Sequence, residues 1–177
     1  LMEEFTHVKL LKALIQVEDK LHKKLSEAQK ILLTTDGSVT RILEILTKKP
    51  VIVRTVERSI VPADLTVAEW LGVSVGDEVN YRVVELRNPE SKRALAGACS
   101  WIPIARLRPE IYEDLTGSDI PIGKIISMHK LEIRREILDI DVINAKKDFT
   151  KALGVKVGSP LLSKTYNIIH NGAVLIR

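Results

Sequence analysis

A change of hydrophobic period at Pro50 sets the tightest limit on what this 177-residue chain can fold into. Before it, Leu10, Leu11, Leu14, Val17, Leu21 and Leu25 recur at spacings of three and four with Lys and Glu between them. That pattern predicts one amphipathic helix over residues 8–30. Such a helix covers a core or pairs with a second subunit, which would make the protein a homo-oligomer. A polar turn over 32–38 follows, and Ser38 is a good N-cap for a helix over 39–46, because its hydroxyl can accept an orphan backbone N–H. After Pro50 the period becomes two, with Val51, Val53 and Thr55 alternating with Ile52, Arg54 and Val56.

The same reading places strands at 79–87, 95–102, 129–140, 161–169 and 173–177, and short helices at 65–71, 109–115, 121–128 and 145–153. Asn88-Pro89 opens one turn, and Asn171-Gly172 is a strong hairpin dipeptide joining the last two strands. Hairpins in place of regular strand–helix alternation predict an α+β class, with a six-stranded antiparallel sheet and helices on one face. A chain of this length fits a single domain, 1–177.

Charge and composition narrow the partners. The net charge of +4 comes from 27 basic and 23 acidic residues, and the basic ones are spread along the chain. That excess suits a small anionic ligand better than nucleic acid, whose binders gather basic residues into a patch. Cys99 is a lone cysteine, so no intrachain disulfide or cysteine-based metal cluster is expected. His7, His22, His129 and His170 show no metal-ligand spacing, so no metal is expected. No apolar run approaches the roughly 18 residues of a membrane span. Glu3 and Glu4 do not fit a signal peptide, so a cytoplasmic protein without membrane contact is the expectation.

There is an internal echo. Leu71-Gly72-Val73-Ser74-Val75-Gly76 recurs as Leu153-Gly154-Val155-Lys156-Val157-Gly158, and six residues past the second glycine stand Arg82 in one copy and Lys164 in the other. Either helix–turn–strand units reuse the same punctuation, glycine being an easy helix stop, or the fold is an internal duplication whose halves each point one cation into a shared cleft. Arg82 lies mid-strand, sharing a face with Val84 and Leu86. Its planar fork matches a carboxylate in a way that lysine cannot. An internal salt bridge to a glutamate would satisfy it equally well, and Lys164, beside Leu162, Tyr166 and Ile168, is open to the same two readings. No nucleophile elbow, P-loop or GxGxxG is present.

From Leu32 to the C-terminus the segments resemble the chorismate lyase family, in its prokaryotic branch distinct from the ubiquinone-pathway enzymes. The residues that carry the likeness are Leu32-Leu33 through Asp36, Thr40 and Glu44; Tyr81-Arg82-Val83-Val84-Glu85-Leu86; Ala96-Gly97-Ala98 through Ile102-Pro103 and Leu107; Pro121-Ile122-Gly123-Lys124; and Arg135-Glu136-Ile137-Leu138-Asp139-Ile140. The resemblance implies a ligand buried beneath helical flaps, no cofactor, and elimination of pyruvate from chorismate to give 4-hydroxybenzoate. It implies that Arg82 is the catalytic and substrate-binding arginine that grips the ring carboxylate, aided by backbone N–H groups near Val39 and Ile122. Lys164 is the candidate for the second carboxylate, from the echo. Cys99 stands where the ubiquinone-pathway enzymes have an arginine. The family's catalytic glutamate falls just past Arg177, so a truncated last strand is expected. The alternative is a non-catalytic, small-acid effector-binding domain of the kind found in bacterial transcription regulators, which share the fold. A third reading is an interaction module that dimerises through 8–30.

Overall fold

In a computed structural model of the protein, residues 7–90, 94–147, 150 and 153–177 are described. The N-terminal region forms two helices, α1 (His7–Leu21) and α2 (Glu27–Thr34), and not the single helix expected over 8–30. The break follows His22, whose φ is 49°, and a capping box at Ser26 starts the second helix. The Ser26 hydroxyl accepts from Gln29 N–H, and the Gln29 side chain accepts from Ser26 N–H. The apolar period masked this, because Leu25 in the break is buried with Val17 and Leu33 in one cluster and so continues the stripe. Leu32 and Leu33, expected in a turn, belong to α2.

Ser38 caps α3 (Val39–Thr47) as its chemistry suggested, accepting from Arg41 N–H at 3.3 Å. Then come β1 (Ile52–Pro62), α4 (Leu65–Leu71), β2 (Glu78–Arg87) and β3 (Ala94–Pro103). A 3-10 turn leads into α5 (Pro109–Gly117), α6 (Ile122–Met128), β4 (Arg134–Asn144), β5 (Pro160–His170) and β6 (Ala173–Ile176). The strand expected from 129 begins later, at Arg134, because His129 closes α6 and its Nε2 meets Asp114 of α5 at 2.6 Å. The helix expected over 145–153 falls in part outside the described residues.

The α+β class and the antiparallel pairing are as expected, but the strands form two three-stranded sheets, β1-β2-β3 and β4-β5-β6. They meet edge to edge at one residue pair: Trp101 N–H donates to Arg177 O at 2.8 Å and Arg177 N–H to Trp101 O at 3.0 Å. Side chains alternate across β2, so Asn80, Arg82, Val84 and Leu86 share one face. Over that face α3 contributes Leu43 and Val39 against Val84 and Leu86. Nearby, α5 and α6 contribute Ile111, Leu115 and Ile125 against Ile102, Ile168 and Ile176. Leu115 and Ile125 are each 1% exposed, and truncating such a side chain costs about 2–5 kcal/mol, so the helical cover is firmly seated. Helix α4 packs with Val79 and Trp101, on the other side of the sheet.

The two sheets are built by one recipe, repeated 82 positions on (154 − 72). Gly72 and Gly154 have φ 62° and 66°, and Gly76 and Gly158 have φ 92° and 82°. In the first unit Gly76 N–H donates to Ala63 O and Ala63 N–H to Asp77 O; in the second, Gly158 donates to Ala145 and Ala145 to Ser159. Each first strand carries a bulge at the equivalent place, between Thr55 and Glu57 in β1 and between Ile137 and Asp139 in β4. Helix-ending punctuation alone would not reproduce the bulges, so the echo marks a duplicated unit.

Candidate functional site

Arg82 is 1% exposed and heads the fully buried side chains by size. Its Nη2 donates to Ser118 O at 3.5 Å and Ile120 O at 3.3 Å, both long, while its Nε is buried without a partner. Across the sheet it faces Arg58 of β1 and Ser100 of β3. No carboxylate among the described residues lies at ion-pair distance from it. Glu85, the natural salt-bridge candidate, sits on the opposite face of β2 and engages Arg87 Nε at 2.6 Å and Arg54 Nη1 at 3.5 Å. Burial, then the charge of Arg58, holds the Arg82 guanidinium below its ordinary pKa, with Asp119 opposing. A buried cation held only by long bonds to carbonyls is under-compensated, since desolvating it costs several kcal/mol.

Arg58 shares this corner. Its guanidinium donates to Thr116 O at 2.5 Å and Ser118 O at 2.8 Å, and it lies 3.6 Å from Asp119. Both arginines therefore hold the segment before α6 by the same carbonyl, Ser118 O.

Val39 and Ile122 are the first residues of α3 and α6, where the geometry of a helix leaves N–H groups without intrahelical acceptors. The two starts abut: a Cβ built on Gly123 would lie 3.1 Å from Ser38 Oγ. Val39 packs with Val84 and Leu86, just along the strand from Arg82, and Ile122 packs with the cluster that holds Ile102. Arg82, Val39 and Ile122 are thus brought to one region, between the sheet and its helical cover.

Lys164 is in the equivalent place of the second unit. Its Nζ donates to Leu32 O at 2.8 Å and Thr35 O at 2.9 Å, at the end of α2, and lies 5.4 Å from the Tyr166 ring centre. Burial, with Arg135 adding and Asp36 opposing, lowers its pKa to about 8. Cys99 pairs across with Val83 and is exposed, on the face away from Arg82. Two open hollows, of about 360 and 490 Å³, are lined by groups such as Arg106, Arg108 and His170 or Gly72, Ser74 and Asp77. None of the four expected binding residues borders either hollow, and Arg82 lies buried between the sheet and its helical cover. No described helix is long and apolar enough to cross a membrane.

Two residues of this region escaped the reading of the sequence. Arg58 was hidden by the β1 bulge, which alone brings it onto the Arg82 face. Asn80 shares that face two residues from Arg82 and is 1% exposed. Its place on an alternating strand was the available signal.

The fold and its buried, under-compensated arginine define a small α+β domain suited to an acidic ligand. Solved structures agree on the fold. The effector domain of PhnF from Mycobacterium smegmatis matches with TM-score 0.64 at 19% identity, over 80% of this chain and 85% of that one. A GntR-family transcriptional regulator from Bacillus cereus matches with TM-score 0.56 at 20% identity, over 71% of this chain and 86% of that one. The sequence is more specific: residues 33–177 match the family model described as chorismate pyruvate-lyase Rv2949c-like, and the chain belongs to that family. It is 40% identical over 164 residues to MJ0807 of Methanocaldococcus jannaschii, a provisionally named lyase, covering 89% of this chain and 79% of that protein. It is 32% identical over 123 residues to the chorismate pyruvate-lyase of Mycobacterium tuberculosis, covering 68% of this chain and 61% of that protein.

Proposed function

We propose that the protein is a chorismate pyruvate-lyase, converting chorismate to 4-hydroxybenzoate and pyruvate. The observation that carries this reading is Arg82: a buried guanidinium whose Nε has no partner, in a chain of this family. A ring carboxylate supplies the missing counter-charge, and the N–H groups at the starts of α3 and α6, at Val39 and Ile122, add donors to it. Lys164 has two of its three ammonium donors on the Leu32 and Thr35 carbonyls, and it serves the enolpyruvyl carboxylate.

The chemistry asks for positioning more than for covalent help. The ring C–O bond to the enolpyruvyl ether breaks and the ring loses a proton and becomes aromatic. The departing enolpyruvate takes up a proton to become pyruvate. Aromatisation supplies the driving force. A fixed guanidinium and a dry, covered site supply orientation and a preorganised field.

A non-catalytic effector-binding domain is the second reading, favoured by the fold shared with the PhnF effector domain. One experiment separates the two. The protein is incubated with chorismate, and 4-hydroxybenzoate and pyruvate are quantified. Equimolar release of both, above the uncatalysed rate and lost in Arg82→Ala, is expected. Binding of 4-hydroxybenzoate with no release above that rate would favour the effector reading.

A further inference from the structure

Asn80 is the most buried polar side chain near Arg82 that nothing in the fold uses. It is 1% exposed, and both its Oδ1 and its Nδ2 are buried without a hydrogen-bond partner. A primary amide offers one acceptor and two donors, and native interiors leave such groups empty only for a reason. Its cross-strand neighbours are Ile60 and Ile102. Ile102 is 0% exposed and packs with Leu115 and Ile125 beneath α5 and α6, so the amide lies where the surroundings turn apolar.

The duplicated unit shows that the fold does not require an amide here. The equivalent position, two residues before Lys164, is Leu162, which packs in the cluster under α1 and α2. Asn80 also shares the Arg82 face at a spacing of two residues, about 7 Å along a strand. That distance is comparable to the span of a six-membered ring from a carboxylate to a substituent oxygen opposite it. The other buried amide without a partner, Asn167, stands on the face of β5 away from Lys164.

We infer that Asn80 is a specificity-determining residue. It reads the oxygen substituent that lies across the ring from the carboxylate held by Arg82, and so selects hydroxylated ring acids over plain ones. This inference rests on the proposed role of Arg82 as the carboxylate anchor. A site built to hydrogen-bond a hydroxyl rejects an analogue without it, because the buried polar group is then left unpaired.

The test compares 4-hydroxybenzoate with benzoate, by calorimetry, on the wild type, Asn80→Leu and Arg82→Ala. The wild type is expected to prefer 4-hydroxybenzoate by at least about tenfold. Asn80→Leu should keep the benzoate affinity and lose the preference, while the ligand-free variant melts higher because an unsatisfied amide has gone. Arg82→Ala should lose both acids. Asn80→Leu retaining the wild-type preference, or losing both acids equally, would overturn the inference while leaving the Arg82 anchor standing. A wild type that binds neither acid, or an Arg82→Ala that binds both normally, would overturn the anchor and this inference with it. Should the leucine variant not fold, the Asn80 side-chain amide resonance of the wild type decides. A shift with 4-hydroxybenzoate and none with benzoate supports the inference, and identical responses to both acids refute it.

Discussion

The two halves of the molecule carry a cation in the same place and treat it differently. In the second unit Lys164 donates to two carbonyls at 2.8 and 2.9 Å and faces Ile140 across the sheet. In the first, Arg82 is more deeply buried, reaches its carbonyls only at 3.3 and 3.5 Å, and faces a second cation, Arg58. Repetition supplied the same strand, turn and bulge twice. Lys164 fastens the end of α2, while Arg82 is left short of negative charge. The contrast teaches that the duplicated scaffold fixes where a cation stands, and the local supply of acceptors decides what it is for.

The largest expected effect tests that contrast directly. Charge-assisted hydrogen bonds contribute about 1.5–3 kcal/mol each, so losing a two-pronged grip on a carboxylate weakens binding by about a hundredfold or more. Arg82→Ala should therefore lose at least that factor in 4-hydroxybenzoate affinity and in kcat/KM for chorismate, with unchanged circular dichroism. Arg82→Lys should recover little, for want of the planar fork. If Arg82→Ala kept near-normal affinity, the two cations would be equivalent after all.

Lys164→Met probes the other half. At neutral pH it should lower unfolding stability by about 1 kcal/mol, the lost hydrogen bonds to α2 being partly offset by relief of a buried charge. It should weaken a dianionic chorismate analogue by about tenfold and leave 4-hydroxybenzoate nearly unchanged. Equal losses for both ligands would confine Lys164 to its structural role. The pH dependence carries a definite sign. The folded-state pKa of about 8 lies below the ordinary lysine value, so below pH 8 both states hold the proton and the burial penalty is present in full. Between pH 8 and about 10 the folded chain has released a proton that the unfolded chain still binds, so stability rises with pH through this residue. Urea titrations of wild type minus Lys164→Met should show that rise, and a flat difference would count against it.

The smallest effect comes from Gly123→Ala at the junction of α3 and α6. The added Cβ meets Ser38 Oγ at 3.1 Å and disturbs the cap of α3, a loss of about 1 kcal/mol that the better helix propensity of alanine roughly offsets. Melting temperature should barely change while ligand affinity falls a few-fold. An unchanged affinity would separate the two helix starts from binding.

Much of this fold was legible because local chemistry and long-range packing agree. The Ser38 cap, the Asn171-Gly172 hairpin and the 65–71 helix all appear where their residues suggested. Over 8–30 the single-helix expectation fails because Leu25 keeps the apolar stripe in phase through the interruption between α1 and α2, and the stripe outweighs the Ser26–Gln29 capping signal. Within the site, Arg82 stood out as the one charge on its face of the alternating strand expected over 79–87. Arg58 could not, since nothing local says that Val56 is an extra residue. The division of the strands into two sheets was equally hidden, because it depends on which edges meet at Trp101 and Arg177, far apart in the chain.

That extra residue acts as a phase switch. Val53 and Thr55 share a face with Leu86 and Val84 at odd positions of β1, whereas past the bulge Arg58 and Ile60 occupy the same face, beside Arg82 and Asn80, at even positions. Drawing Val56 into the regular ladder would change no residue yet carry Arg58 to the opposite side of the sheet, whereas deleting Val56 removes the bulge and keeps Thr55 opposite Val84 and Arg58 opposite Arg82. For this strand, a change of pairing is a different kind of change from a substitution. A substitution alters one side chain, whereas a single-residue slip exchanges the inner and outer surfaces of the whole distal segment. Leu138 plays the same part in β4, so each half of the molecule carries one position where pairing, and not identity, decides which side chains face the helical cover.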